Sequence, residues 1–457
     1  MRAHSNELAD PDWLTTDFGA ADEPAQPAEP MQYSLGDEPE AALAAAEGQA
    51  AALSPSLRAV GEAMVPRISI EAFCDRETVA ERLLLASRDR RLAKAAFRVE
   101  TGGVAAARAR LSGDVTPNLI VLDSARPPQA LLQELESLAP LVDMHTKVIV
   151  IGAFNDIALY RELIRRGVSE YLVVPVEPLQ IIDAIAALYV DPDRPFVGRL
   201  VAVAGVRGGV GSSTIAHNMA YALAERYALA TTLVDLDLSF GTVSLDFNQD
   251  AAGGLAEALA APERVDEVFL ERLLVRQTDR LSLLPSPSDL SKAREFEPTA
   301  CEAVLERLRR ISPFVVADLP HLWSGWMRQT LLSASDVVLV ATPDLASLRN
   351  CKQLVDLLRG ARPHDPPPSI VLNQVGAPKR PEVTAKDFGE TLNIEPAAVV
   401  PFDPAVFGAA ANSGQMLFEV APTAKPTLAL EGLAARLSGR DAPVRLKRSL
   451  LASLLKR

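Results

Sequence analysis

Two hydrophobic patterns alternate along the chain. Short unbroken apolar runs such as "NLIVLD", "KVIVIGA", "LVAVAGV", "FVVADLP" and "DVVLVATP" are too short for helices. They carry the β-branched residues expected of strands covered on both faces. Between them run longer stretches whose apolar residues recur every three or four positions, the period of a helix with one buried side. Strands alternating with helices predict parallel sheets sandwiched between helical layers.

The alternation occurs twice. Over residues 67–189 the expected strands are "RISIEAF", "NLIVLD", "KVIVIGA" and "EYLVVPV". The expected helices are "AERLLLASRDRRLAKAAF" (80–97), "PQALLQELESLAPLV", "DIALYRELIRRG", stopped by its glycine, and "PLQIIDAIAALYV". Residues 190–198, with two prolines and two aspartates, read as a linker. A larger round follows over 199–439, with strands "LVAVAGV", "TTLVDLD", "LSLLPS", "FVVADLP", "DVVLVATP", "SIVLNQV" and "AAVVPFD". Helices among them include "TACEAVLERLRRI" and "LRNCKQLVDLLRG". Several of these strands end in an acid, amide or proline, which places polar groups at the carboxyl edge of the sheet, where open α/β sheets bind ligands.

Composition changes this picture mainly at the two ends. Of 457 residues 48% are hydrophobic and 5% aromatic, which suits two or three α/β domains. The net charge of −13 is uneven: residues 1–56 hold eleven acids against Arg2 alone. Residues 1–60, rich in Ala, Pro, Asp and Glu and lacking a hydrophobic period, read as a disordered solubilising or tethering tail. With that tail set aside the body is nearly balanced, which excludes a general nucleic-acid binder. Cys74, Cys301 and Cys351 are too scattered for a metal site and read as small core residues of a reducing compartment. Neither a signal-peptide segment nor about twenty unbroken apolar residues occur, so a cytoplasmic location is expected.

The basic tail 440–457 qualifies that location. In "VRLKRSLLASLLKR", Leu446, Leu450, Leu451, Leu454 and Leu455 share one helical face, with Arg and Lys at its edges and ends. Residues 444–457 therefore suit a weak interfacial helix on the anionic inner face of the cytoplasmic membrane. A terminal helix packed on the body is the other reading.

The chemistry concentrates in "RGGVGSST", residues 207–214, between a strand and a helix. Gly208, Gly209 and Gly211 allow the backbone to curl round an anion at a helix N-terminus, with Val210, Ser212, Ser213 and Thr214 completing the loop. Ser213 stands where a hydroxyl would hold Mg²⁺. Ser212, however, replaces the lysine that normally reaches the outer phosphates, and Val206 stands where the loop pattern opens with glycine. By residues alone, a nucleotide site and a structural glycine-rich turn both stand. Asp235 and Asp237 at the end of "TTLVDLD" add a means to orient a water or help hold metal. Asp318, ending "FVVADLP", suits the Walker B place near Mg²⁺. An aspartate after a strand also commonly caps a helix or turn.

Together "RGGVGSST", "VDLDLSFG", "VVADLPH" and "VLVATPDLASLRN" resemble the ParA/MinD superfamily of deviant-Walker ATPases. Within it they resemble the CpaE/TadZ branch, which helps place and assemble tight-adherence (Flp-type) pili. The resemblance covers roughly 199–430. It implies ATP and Mg²⁺ as ligands and a nucleotide-sandwich homodimer, with Arg207 as the basic residue that reaches the partner's ATP. It further implies that Asp237 positions the attacking water, that Asp318 is the Walker B acid, and that adenine lies near Asn373 and the Pro401–Pro404 loop, which includes Asp403. Partners implied are pilus or type II-like secretion assembly proteins, with no specific nucleic acid. Losing one charge-assisted phosphate contact should hurt turnover more than binding, so hydrolysis is expected to be slow or absent.

Residues 67–189 resemble a response-regulator receiver domain, with Asp123 as its phospho-acceptor. The set is degenerate: Gly152 replaces the usual Ser/Thr, Val174 the lysine, and Cys74–Asp75 the acidic pair. The fold expected is thus a receiver-like, flavodoxin-like three-layer domain followed by a ParA/MinD-type P-loop three-layer domain with a mostly parallel sheet. The function expected is an ATP-gated or constitutive dimer that localises a pilus apparatus. An active ATPase and a signalling protein phosphorylated at Asp123 are the alternatives.

Overall fold

The computed structural model describes residues 64–112, 116–189, 197–249, 254–287 and 296–440. The expected tail at 1–60, the expected tail at 440–457 apart from Arg440, and most of the linker, 190–196, lie outside the described residues.

Two sheets carry the chain. In the first, β1 (Ser69–Cys74), β2 (Ala96–Thr101), β3 (Leu119–Asp123), β4 (Lys147–Gly152) and β5 (Glu170–Val173) run parallel in the order β2-β1-β3-β4-β5. That is the flavodoxin-like order, whose switch point lies between β1 and β3. Helices α1 (Glu77–Ala86), α2 (Gly103–Leu111), α3 (Pro128–Leu138), α4 (Ile157–Arg165) and α5 (Pro178–Tyr189) cover both faces. On one face Val79 and Leu83 of α1 meet Ile181 and Ile185 of α5. On the other, Val104, Leu131, Leu159 and Leu163 of α2, α3 and α4 share a cluster. Local signals agree with this packing: Asp156 caps α4 by accepting from the amides of Ala158 and Leu159, at 2.7 and 3.4 Å.

One expectation fails here. Residues 80–97 do not form a single helix: α1 ends at Ala86, a 3₁₀ turn occupies Arg90–Leu92, and β2 begins at Ala96. Asp89 redirects the chain, since its carboxylate accepts from the Arg91 amide at 2.9 Å and from the Arg91 guanidinium at 2.8 Å. The following "AFRVET" then pairs as an edge strand, and α2, which the periodicity did not mark, returns the chain to β3.

The second sheet has the order β13-β12-β11-β6-β10-β7-β9-β8. Its strands are β6 (Arg199–Gly205), β7 (Thr231–Asp235), β8 (Val275–Arg276), β9 (Leu281–Leu284), β10 (Phe314–Leu319), β11 (Asp336–Ala341), β12 (Ser369–Val375) and β13 (Ala398–Pro401). All seven expected strands are present; the short β8, antiparallel to β9, is an addition. Helix α6 (Ser212–Tyr221) and the single turn α7 (Val243–Asp246) lie beside the loop at residues 207–211. Cys301 and Cys351 sit in the core under one face of this sheet, Cys74 in that of the first, and all three are free thiols. Among the described residues no helix is long and apolar enough to cross a membrane.

Charged groups join the layers around the two sheets. Arg90 donates to Asp365 at 2.7 Å and to the Ser333 carbonyl at 3.0 Å, and Arg362 donates to the same carboxylate at 2.8 Å. Lys94 lies 2.8 and 2.7 Å from Glu302 and Glu306.

Candidate functional site

The carboxyl edge of β6 turns directly into the glycine loop. A Cβ on Gly205 would come within 2.9 Å of Ser212 Oγ and Val210 Cγ2, so the loop folds back closely on the strand that feeds it. Gly209 and Gly211 have φ of 78° and 84°, the left-handed region that glycine enters without strain. A Cβ on Gly211 would also stand 2.6 Å from Asn373 Nδ2. Strand β12 braces the loop from behind. Asn373 Nδ2 donates to the Val210 carbonyl at 2.8 Å and Gln374 Nε2 to that of Gly209 at 3.1 Å. Fixing those carbonyls is what a cradle of backbone amides needs. Ser212, Ser213 and Thr214 form the first turn of α6, each half-buried.

The acids stand beside this loop because of strand order. With β10 inserted between β6 and β7, Asp318 is register-paired with Asp235 on one side and with Val203 on the other. Asp235 is fully buried. Its Oδ1 accepts from the Asp237 amide at 3.2 Å, and its Oδ2 accepts from Ser286 Oγ at 3.0 Å and the Val243 amide at 3.3 Å. Burial, then the charge of Asp318, push its pKa up to about 6. Gly241 is required above it, since a Cβ there would stand 2.1 Å from Asp235 Oδ2. Asp237 organises the next turn, its Oδ1 accepting from the amides of Ser239 and Phe240 at 3.2 and 2.9 Å.

The periodicity passed over His217, a residue of α6 with no exposed surface. Its Nδ1 is 2.7 Å from Asp246 Oδ2 and its Nε2 3.3 Å from Asp318 Oδ2. The second approach is in ion-pair range but off line for a hydrogen bond. Burial favours the neutral ring, but the two aspartates outweigh it and raise its pKa to about 10. Asp318 Oδ1, also buried, has no hydrogen-bond partner. The only sequence signal was a histidine at a position where its helix is otherwise apolar.

Other expected residues are placed as follows. Arg207 is exposed and turns back on its own chain, its guanidinium 3.2 Å from Thr342 Oγ1 and 3.1 Å from Asp344 Oδ2. Pro401 ends β13, and Asp403 caps the helix Pro404–Ser413 through the Val406 amide at 3.2 Å. Of these two strand ends, β12 touches the loop through Asn373, while β13 lies one strand further out.

A hydrated divalent cation suits this donor set. Among the described residues no three His, Cys, Asp or Glu side chains are arranged to hold a bare ion. The Ser213 hydroxyl and the partnerless Asp318 oxygen instead match a cation that keeps most of its water and is held through phosphate.

In the first sheet Asp123 is closed off. The Arg76 amide donates to its Oδ2 at 2.8 Å and Nε to its Oδ1 at 2.9 Å, with the terminal nitrogen bonding the same oxygen. That nitrogen also reaches the carbonyls of Ser124 and Ile151 at 3.3 and 3.2 Å. A Cβ on Gly152 would stand 2.2 Å from the Tyr171 hydroxyl, which donates to the Phe154 carbonyl at 2.9 Å.

Known proteins are similar to the part of the chain that carries this loop. A family model described as an AAA domain matches residues 198–364. The septum site-determining protein MinD of Synechocystis is 25% identical over 259 residues, 54% of this chain and 92% of that one. Over its second sheet the chain is thus similar to MinD and ParA proteins, and its mixed α/β fold with parallel sheets is of the P-loop kind. A solved ParA family ATPase from Chlorobium tepidum is 24% identical, covering 52% of this chain and 98% of that one with a TM-score of 0.48. The solved pilus assembly protein CpaE of Caulobacter crescentus is 49% identical over 28% of this chain and 98% of that one, with a TM-score of 0.28.

Proposed function

We propose that this ParA/MinD-type protein localises and helps assemble a tight-adherence (Flp-type) pilus, as an ATP-gated or constitutive dimer that hydrolyses ATP slowly or not at all. The carrying observation is a braced glycine loop beside the register-paired Asp235 and Asp318, with serine at 212 in place of the lysine. The loop amides of Gly208–Gly211, with Ser212, Ser213 and Thr214, receive the phosphates. Ser213, with Asp318 and Asp235 behind it, holds Mg²⁺, which when bound neutralises phosphate charge. Asp237 positions the attacking water, and Arg207 exchanges Asp344 for a partner's nucleotide. Asn373, Pro401 and Asp403 border the adenine. The 49% identity to a pilus assembly protein supports the pilus role. The domain division at 67–189 and 199–439 belongs to the same reading, the first part serving as a docking module whose Asp123 is already occupied by Arg76.

Purified full-length protein tests this. A fluorescent ATP analogue should bind in a Mg²⁺-dependent way, and phosphate release should stay at the level of Asp237→Ala. Release well above that variant would instead establish the active ATPase. Light scattering with and without ATP separates a gated from a constitutive dimer. A fluorescently tagged chain should form a focus at the site of pilus assembly, and a diffuse tagged chain would defeat the localisation role.

A further inference from the structure

We propose that His217 is a positioning residue of the nucleotide site, a clamp that fixes Asp318 and, through Asp246, the segment carrying Asp237 against the helix that follows the phosphate loop. The proposal rests on the reading of residues 207–214 as that site.

Three pieces of chain bring charged or titratable side chains together at this ring. Helix α6 begins within the loop and supplies His217. Asp318 is the penultimate residue of β10, and Asp246 closes the segment that starts at Asp237. The segment's own bonds are local: Gly241 N to Asp237 O at 2.9 Å, Asp246 N to Thr242 O at 2.8 Å and Phe247 N to Val243 O at 3.1 Å. Its polar ties outward include the Asp237 and Val243 amides to Asp235 and the Asp246 carboxylate to His217. Thr242 Oγ1 also donates to Asp246 Oδ2 at 3.2 Å, which orients that carboxylate toward the ring. Phe247 packs 5.9 Å from the imidazole, so its plane is set by contact as well as by charge.

Electrostatics explains why a histidine serves here. Asp235 and Asp318 are neighbours in a core that cannot solvate them, and Asp246 adds a third carboxylate within reach. Unpaired buried charge is costly, and an ordinary phosphate loop has a lysine nearby. Here position 212 is serine, and His217, five residues further along α6, sets one ring nitrogen 2.7 Å from Asp246 and the other 3.3 Å from Asp318. A filler for apolar volume would not place its two ring nitrogens against two different carboxylates.

The test uses the full chain and hydrogen exchange, which reports on the clamp without nucleotide. In His217→Ala the amides of Val243, Asp246 and Phe247 should exchange at least tenfold faster, while those of β10 change less than twofold. Asp246→Asn cuts only the half-exposed end of the bridge and so guards against a variant that fails to fold; it should accelerate the same three amides. Unchanged exchange at these amides in Asp246→Asn overturns the proposal. A second measurement titrates a fluorescent ATP analogue. His217→Ala should weaken binding about tenfold, and Asp246→Asn added to it should cost little more, because both changes cut the same bridge. Losses that simply add overturn the clamp. If the unaltered chain binds no analogue, the nucleotide reading fails, and the exchange result still decides whether the clamp exists.

Discussion

Two buried carboxylates near the carboxyl ends of parallel strands, Asp123 and Asp318, are satisfied in opposite ways. Asp123 in the first sheet receives three hydrogen bonds from Arg76, whose guanidinium also bonds the carbonyls of Ser124 and Ile151. With no exposed surface and both oxygens bonded to Arg76, this carboxylate is closed to a ligand. Asp318 in the second sheet meets only the edge of His217 on one oxygen and nothing on the other, and it faces a loop built on left-handed glycines. The same place in the same kind of fold is thus a closed ion pair in one case and an open half-shell in the other. A buried acid marks a site for ligand only where its own chain leaves it incomplete.

The largest effect that could break the comparison is expected at Arg76. Arg76→Ala leaves Asp123 as a buried unpaired charge, and the unfolding free energy measured in urea should fall by about 3 kcal/mol. Arg76→Ala with Asp123→Asn should regain most of it. The unaltered chain should not be labelled at Asp123 by a small phosphodonor such as acetyl phosphate. Labelling there would show that the guanidinium yields, and the two carboxylates would no longer differ in kind.

How far this difference was legible in the sequence depends on how local its cause is. Glycine spacing between a strand and a helix marked residues 207–214, and acids after apolar runs marked Asp235, Asp237 and Asp318. Each of those signals lies within a few residues. Helical periodicity misled at 80–97, where a one-residue event, the Asp89 carboxylate turning to Arg91, outweighed it. Arg76 and His217 gave almost no sign. Each looks like an ordinary residue opening or lining a helix, and its partner lies on a distant strand that only the sheet order brings near. Parallel sheets gather strand ends from remote parts of the chain, so the residues that complete a strand-end acid are the least visible ones.

A smaller effect sharpens the open side. Ser212→Lys should tighten binding of a fluorescent ATP analogue roughly tenfold, as a charge-assisted contact of about 1.5–3 kcal/mol predicts when part is lost to ordering the side chain. Phosphate release should rise by a larger factor than affinity, since charge develops further in the transition state. Equal gains in both would mean that the lysine only binds, and that Ser212 is not what slows turnover.

The smallest expected effect tests whether burial is what makes the closed Arg76–Asp123 pair costly to break. Lys94 pairs with Glu302 and Glu306 at distances as short as those of a good hydrogen bond, yet it is about one-third exposed. Burial alone would lower its pKa, but the two glutamates outweigh burial and raise it. A raised folded pKa means the contribution is complete below the unfolded value near 10.4 and is lost as pH rises through the folded value. Lys94→Ala should therefore cost less than about 1 kcal/mol, uniformly between roughly pH 6 and 9, and the difference should close only in stronger alkali and shrink in high salt. The check is the urea midpoint of both chains across that range. A loss as large as that of Arg76→Ala would show that short ion-pair distance, rather than removal from water, decides the energy of such a pair.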